Sequence, residues 1–137
     1  MLRRCLLSLA LSIAVAGSAH AQVGALPPIP EARDVDYAPG AIDVAVDATN
    51  LGQRIFRVLQ QIPVQAGPLV LLYPAWLPGN HAPRGPIEKI AGLRFSANGQ
   101  PLAWRRDPMT VFAFHLDIPA GVSTLQADYD YLTPTDP

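Results

Sequence analysis

The feature that most constrains the fold of this 137-residue chain is the segment 72–86, with the sequence LYPAWLPGNHAPRGP. It follows an apolar run at 69–72 that is typical of a buried strand, and its residues 74–86 hold four prolines and two glycines. Proline fixes φ and lacks a backbone donor, so this segment can be neither a helix nor an inner strand. We predict a stiff loop, called the proline-rich loop below, that presents side chains to a partner or a ligand.

The spacing of proline elsewhere argues against a helical fold. All fifteen prolines lie beyond residue 21, and few gaps between them exceed the ~10–12 residues of an average helix. Hydrophobic residues make up 50% of the chain, which is not the composition of a disordered protein. Short apolar segments separated by Pro and Gly turns therefore predict an all-β fold, an antiparallel β-sandwich-like domain.

Individual strands are predicted from local alternation and turn residues. The predicted strands are 42–47, 69–73, 90–96, 102–106, 111–118 and 124–132. The Asn98-Gly99 pair between two of them is typical of a type I′ hairpin. Residues 54–62 fit both a helical stripe and a strand, but the turn before them and Pro63 after them favour a strand paired with 42–47.

Residues 1–21 have the form of a secretory signal peptide. Two arginines precede an apolar core at 6–16, and Ala19 and Ala21 stand at positions −3 and −1 relative to Gln22. The core is shorter than the ~20 residues that span a bilayer. We expect cleavage after Ala21, a periplasmic or secreted product and no membrane span after cleavage. Cleavage would also remove Cys5, the only cysteine, so neither a disulfide nor thiol chemistry is expected.

The exported chain divides into an arm and a domain. Residues 22–40 include Pro27-Pro28-Ile29-Pro30 and lack periodicity, which predicts an extended linker or an arm on the domain surface. Residues 41–137 form the predicted β-domain. Ten basic residues, two of them in the signal peptide, and eleven acidic ones leave the exported chain a net charge of −3. That charge, without a basic patch, gives no indication of nucleic-acid binding.

Several separated motifs resemble those of one peptidase family. Pro74-x-Trp76-x-Pro78-Gly79, Gly92-Leu93, the segment 97–102 and Trp104-Arg105-Arg106-Asp107-Pro108 occur in the family's order. They look like the N-terminal β-domain of the PDZ-containing glycyl aminopeptidases, which are zinc metallopeptidases of the gluzincin type. The resemblance runs from about residue 41 to residue 133. It implies a non-catalytic domain that packs against a zinc domain, helps to shape its substrate cleft and is followed further along by a PDZ module.

The zinc site of that family is not encoded in this chain. It requires His-Glu-x-x-His and a further acidic ligand, whereas His81 and His115 are the only histidines beyond the signal peptide and neither precedes Glu. A catalytic zinc takes three protein ligands. We predict no catalytic residue, metal ligand or cofactor here, and no activity of the chain alone. Zinc is expected only in the absent catalytic domain.

The two histidines and the charged residues near His115 have structural interpretations instead. His81 is predicted to hydrogen-bond a neighbouring carbonyl, and His115 to face solvent or to lie between strands. One of Arg105 and Arg106 is expected to pair with Asp107, an exposed interaction worth ~0–1 kcal/mol.

A possible interface or ligand site is confined to the proline-rich loop. Its candidate residues are Trp76, Pro78, Gly79, Asn80, His81 and Arg84. Exposed tryptophans can stack on sugars, but a Trp beside a Pro-rich turn normally buries its ring, so packing is favoured for both Trp104 and Trp76. The alternative function is a stand-alone periplasmic module that uses this loop to hold a peptide or glycan.

The last predicted strand, 124–132, indicates an incomplete domain. Its alternation places Leu125, Ala127, Tyr129 and Tyr131 on one face, which needs a cover, and an edge position would leave backbone groups unpaired as well. We therefore expect the domain to be truncated at its C-terminal end, and the isolated chain to be marginally stable and to self-associate.

Overall fold

The computed structural model describes residues 25–31 and 36–134, and its regular structure is almost entirely β. The eight strands, β1 to β8 in chain order, are Asp43–Asp47, Ile55–Pro63, Gly67–Leu72, Ile90–Ala97, Gln100–Leu102, Trp104–Arg106, Ala113–Ile118 and Thr124–Leu132. Two short 3-10 turns, Leu51–Gln53 and Ile87–Lys89, are the remaining elements. The all-β prediction is confirmed. The predicted signal peptide, with Ala19 and Ala21, and Gln22 after the predicted cleavage site lie outside the described residues.

The strands form two antiparallel sheets. The order is β1-β2-β8-β4-β5 in the five-stranded sheet and β3-β7-β6 in the three-stranded sheet. The ambiguous segment 54–62 is a strand, β2, and it pairs with β1 as predicted. The last strand, β8, is central: it pairs with β2 from Thr124 to Leu132 and with β4 on its other side. The last strand is therefore not at an edge of the sheet.

The predicted strand 102–106 is divided between the sheets. Its first part belongs to β5 in the five-stranded sheet, and after Ala103 the chain continues as β6 in the three-stranded sheet. Such a crossing strand forms a corner of a sandwich. The hairpin that precedes it is confirmed, because Asn98 and Gly99 have φ values of 49° and 74°, as a type I′ turn requires at both positions.

The core lies between the sheets. Its buried members are Ile62, Val64, Phe95, Ala97, Phe114, Leu116, Ile118, Val122, Leu125 and Ala127. Trp104 packs against this core, with its ring centroid 5.8 Å from that of Phe95 and 5.6 Å from that of Phe114, in both cases nearly edge to face. The predicted packing of Trp104 is confirmed. Among the described residues, no helix has the length and hydrophobicity to cross a bilayer.

Candidate functional site

The three-stranded sheet covers only part of the inner face of the five-stranded sheet. Strand pairing aligns Val44 with Gln60, Gln60 with Ala127 and Ala127 with the core residue Phe95, so Val44 faces the core side. Ile42 and Val46 alternate with it on the same side. Ile42, Val44 and Val46 are nevertheless 47%, 55% and 55% exposed, respectively. The uncovered part, called the open inner face, comprises Ile42, Val44, Val46, Phe56, Gln60, Tyr129 and Tyr131.

A cleft between the two sheets adjoins the open inner face. Its volume is about 250 Å³, and it is lined mostly by apolar side chains. The lining residues include Ile42, Gln60, Leu71, Leu72, Tyr73, Pro74, Ile90, Leu93, Phe114 and Tyr129. The cleft therefore extends from Ile42, just before β1, to Pro74 in the proline-rich loop.

Three tyrosines cluster at this cleft. Burial raises the pKa of Tyr73, and the nearby Tyr131, Tyr129 and Glu88 raise it further. Burial and Tyr131 likewise raise the pKa of Tyr129, whose hydroxyl accepts a 3.2 Å hydrogen bond from the Gln60 side chain. The phenols of Tyr73 and Tyr129 thus remain neutral at physiological pH. Aromatic rings with a polar end are enriched at protein interfaces and at their energetic centres.

The opposite face of the same sheet is charged. Asp47 lies across from Arg57, which lies across from Asp130, and Arg94 donates to Asp128 at 2.8 Å. Exposed pairs of this kind contribute ~0–1 kcal/mol each. They belong to a solvated face, so the five-stranded sheet has one polar side and one apolar side that its own domain leaves partly open.

The proline-rich loop is fixed at both ends. The Tyr73 amide donates to the Phe112 carbonyl at 2.8 Å, and the Gly85 amide donates to the Ala75 carbonyl at 2.9 Å. Between them Asn80 closes a turn by donating to the Leu77 carbonyl at 3.1 Å, with Gly79 at φ +81°. Pro followed by Gly with positive φ is the signature of a type II turn. The loop therefore holds a defined path, as its sequence predicts.

All the candidate residues of the loop are exposed: Trp76, Pro78, Gly79, Asn80, His81 and Arg84. Trp76 is 63% exposed, so the prediction that its ring packs in the core is wrong. Backbone hydrogen bonds of Tyr73 and Gly85 hold the loop in place, and the Trp76 ring remains outside the core. The predicted hydrogen bond of the His81 ring to a nearby carbonyl is also not formed within the described residues.

Replacing Gly85 by Ala should destabilise the loop. Gly85 is buried, and an added Cβ would overlap the Pro74 carbonyl oxygen, so the backbone must shift. Overpacking of this kind typically costs ~1–3 kcal/mol. Chemical denaturation measures the cost, and Gly52→Ala is the matched control because its Cβ would meet only the Asn50 side chain at 3.7 Å. Equal stabilities of the two variants would contradict the close approach of Gly85 to the Pro74 carbonyl oxygen.

A second polar cluster joins the β6–β7 loop to β7. His115 is 5% exposed, and its Nε2 lies 2.9 Å from Asp107 Oδ2. Asp107 Oδ1 accepts the amides of Met109 and Thr110 at 2.9 and 2.8 Å. The amides of Thr110 and Met109, followed by His115, hold the pKa of Asp107 below its ordinary value.

Of the two positions predicted for His115, the solvent-facing one is excluded by its burial. The predicted pairing of Arg105 or Arg106 with Asp107 is wrong, because no such pair occurs in the described structure, where both carboxylate oxygens are already bonded. The Asp107-Pro108 pair was the sequence signal for this turn. Asp side chains at the start of a turn commonly accept hydrogen bonds from backbone amides two or three residues further on.

The described residues offer no third ligand to this pair. In 25–31 and 36–134, no three His, Cys, Asp or Glu side chains are close enough to hold a metal ion. His115 and Asp107 provide two ligands, one fewer than a catalytic zinc uses. The hydrogen bonds of Asp107 to the Met109 and Thr110 amides and to His115 connect the β6–β7 loop to β7.

Comparison with known proteins gives a family and a fold. The family described as the peptidase M61 N-terminal domain matches residues 43–136, from the start of β1 to beyond β8. No curated protein sequence matches the chain.

Among solved structures, the crystal structure of an aminopeptidase N family protein from Idiomarina loihiensis is similar. Its TM-score is 0.57 at 20% identity, covering 68% of this chain and 15% of that chain. At this identity the similarity concerns the fold alone. The present chain thus corresponds to a small part of that protein.

Proposed function

The chain belongs to the peptidase M61 N-terminal domain family, and we propose that it is the non-catalytic N-terminal β-domain of an exported zinc metallo-aminopeptidase of the glycyl aminopeptidase type. In this proposal it packs against a zinc-bearing catalytic domain that lies outside the chain, and it helps to form the wall of the substrate cleft. The chain alone is inactive, since the zinc ligands belong to that other domain.

The observation that carries the proposal is the open inner face. Ile42, Val44 and Val46 lie on the core side of the sheet but are about half exposed. A domain that buried these side chains would remove them from water, at ~25 cal/mol per Å² of apolar area. An apolar surface continuous with the core is typical of an obligate contact, which resembles a domain core divided in two.

The composition of the surface supports a protein partner. Tyr73, Tyr129 and Tyr131 gather at the cleft, and the Lys89 ammonium lies 6.0 Å from the Tyr131 ring centroid. Tyrosine brings a large contact area with few rotatable bonds, and its hydroxyl remains able to bond across an interface. In the proposal these rings form the centre of the contact, with Lys89 at its rim.

The proline-rich loop extends the same surface. Pro74 lines the cleft, and Trp76 follows two residues later on a loop that backbone hydrogen bonds fix at both ends. A preorganised loop loses little entropy on binding. We assign the exposed Trp76 ring to the contact with the catalytic domain, at the side where the substrate cleft begins.

The reading frame beyond codon 137 tests the proposal. A continuation that encodes His-Glu-x-x-His supports a peptidase. A natural stop codon would favour a stand-alone binding module for a peptide or glycan. The observation behind that second candidate is the 63% exposure of Trp76 on a stiff loop, since such rings can stack on sugars or prolines.

Export is part of the proposal and gives a separate prediction. The signal peptide is expected to be removed between Ala21 and Gln22, where small residues stand at −3 and −1 after the apolar core. N-terminal sequencing of the protein recovered from the periplasm or medium should begin at Gln22. A product that retains residues 6–16 would contradict cleavage and would indicate tethering to the membrane.

A further inference from the structure

The N-terminal arm shows burial with a three-residue period. Within residues 25–31, Leu26 and Ile29 are half-buried and the other five residues are exposed. Pro27, Pro28 and Pro30 fix their own φ and restrict the residues before them to extended conformations. A polyproline II helix has three residues per turn. Leu26 and Ile29 therefore lie on one side of such a helix, and that side is the half-buried one.

On the outer face of the three-stranded sheet, His115 is buried although no further sheet among the described residues covers it. Phe114, Leu116 and Ile118 of β7 belong to the core, so the alternating His115 points to the other side. His115 is 5% exposed, whereas Arg105 across from it and Asp117 two residues on are exposed. The His115 Nδ1 is also shielded from solvent, without a hydrogen-bond partner among the described residues.

The arm and this outer face meet at a groove. A cavity of about 520 Å³ is lined by Pro27 of the arm together with Pro68, Trp104, Arg105, His115 and Asp117. The groove lies on the side of the three-stranded sheet that faces away from the core, so it is separate from the open inner face.

We propose that this groove is a binding site for an extended proline-rich segment and that its occupant is the chain's own arm. Leu26 and Ile29 provide the contact, and the docked arm covers the His115 ring. Because the prolines already hold the arm extended, docking costs little conformational entropy. The arm then forms a third layer of the domain and gives β7 its burial on both faces.

Chemical modification of the histidines tests the proposal. Diethyl pyrocarbonate acylates accessible imidazole nitrogens, and peptide mapping by mass spectrometry separates His115 from the exposed His81, which serves as an internal reference. In the wild-type protein, His115 should react far more slowly than His81. Ile29→Asp should raise the ratio of the two rates about tenfold, because it removes one half-buried apolar contact of the arm. Pro28→Asp places the same charge one position away, on the exposed side, and should leave the ratio unchanged.

Two further measurements separate arm release from unfolding. Near-UV circular dichroism of Ile29→Asp should match that of the wild type. The uncharged Ile29→Ser should also raise the ratio of the His115 to the His81 modification rate. A synthetic peptide of residues 25–31 should restore protection of His115 in Ile29→Asp. Protection that persists in both Ile29 variants would assign the cover to side chains of the sheet and overturn the proposal. Equal effects of Pro28→Asp and Ile29→Asp, or a His115 that reacts as fast as His81 in the wild type, would also overturn it.

Discussion

Replacing Trp104 by Ala is expected to lower the free energy of unfolding by about 3 kcal/mol, at the low end of the range for buried aromatic residues because the ring is only partly buried. The ring packs against Phe95 and Phe114, which come from different sheets, so its loss removes contacts across the sandwich. Edge-to-face aromatic pairs add ~0.5–1.5 kcal/mol beyond area burial. Urea denaturation measures the loss, a large part of the ~5–15 kcal/mol typical of a domain.

Trp76→Ala is the matched control in the same chain. It removes the same atoms from a position that is 63% exposed, so its effect on stability should stay within ~0.5 kcal/mol. If the two variants were equally destabilised, the ring of Trp76 would have to be buried, and its assignment to an interface would be wrong.

Replacing Val44 and Val46 together by Lys is expected to weaken the proposed docking to a zinc peptidase domain strongly while leaving the β-domain folded. Both side chains are 55% exposed on an edge strand, so the cost to stability should be about 1 kcal/mol or less. In the docked state, however, two ammonium groups would enter an apolar contact without partners. We expect binding to weaken by at least about 100-fold, since an unpaired buried charge costs several kcal/mol and each 1.4 kcal/mol is tenfold.

The opposite face of β1 provides the control for this pair. Asp43→Lys with Ala45→Lys adds two lysines to the same strand, on the solvated side of the sheet. This variant should bind as the wild type does. Sedimentation velocity of each variant with a zinc peptidase domain of the same family measures the bound fraction. Equal binding by the two double variants would show that the open inner face is not part of the interface.

The strands were predictable because most of them are half-buried in a sandwich. The alternation of β8 and the Asn98-Gly99 turn are local signals with a direct physical cause, and both are confirmed. Residues 54–62 were decided correctly by the flanking turn and Pro63, not by periodicity, which fitted both a helix and a strand. The boundary between β5 and β6 could not be predicted, because a strand that changes sheets retains its local pattern.

The surfaces could not be predicted to the same extent. Val44 and Val46 alternate with polar residues as a half-buried strand does, but alternation does not say what covers the apolar face. Whether the Trp76 ring is buried or exposed depends on the path of its loop, which is set by the backbone hydrogen bonds of Tyr73 and Gly85. His115 is bonded to Asp107, which lies across a turn eight residues away in the sequence, and strand periodicity carries no information about that contact.

Hydrogen–deuterium exchange of the β-domain, alone and mixed with a zinc peptidase domain of the same family, tests the central claim most directly. Among the described residues, β1 is the edge of its sheet, so its backbone groups pair with no neighbouring strand on one side. Their amides should exchange readily in the free domain. The account predicts that binding slows exchange in β1 and in residues 73–77. The β4–β5 hairpin at 97–100 should be unaffected. Slowed exchange at that hairpin with β1 unchanged, or no change anywhere in the domain, would contradict docking through the open inner face.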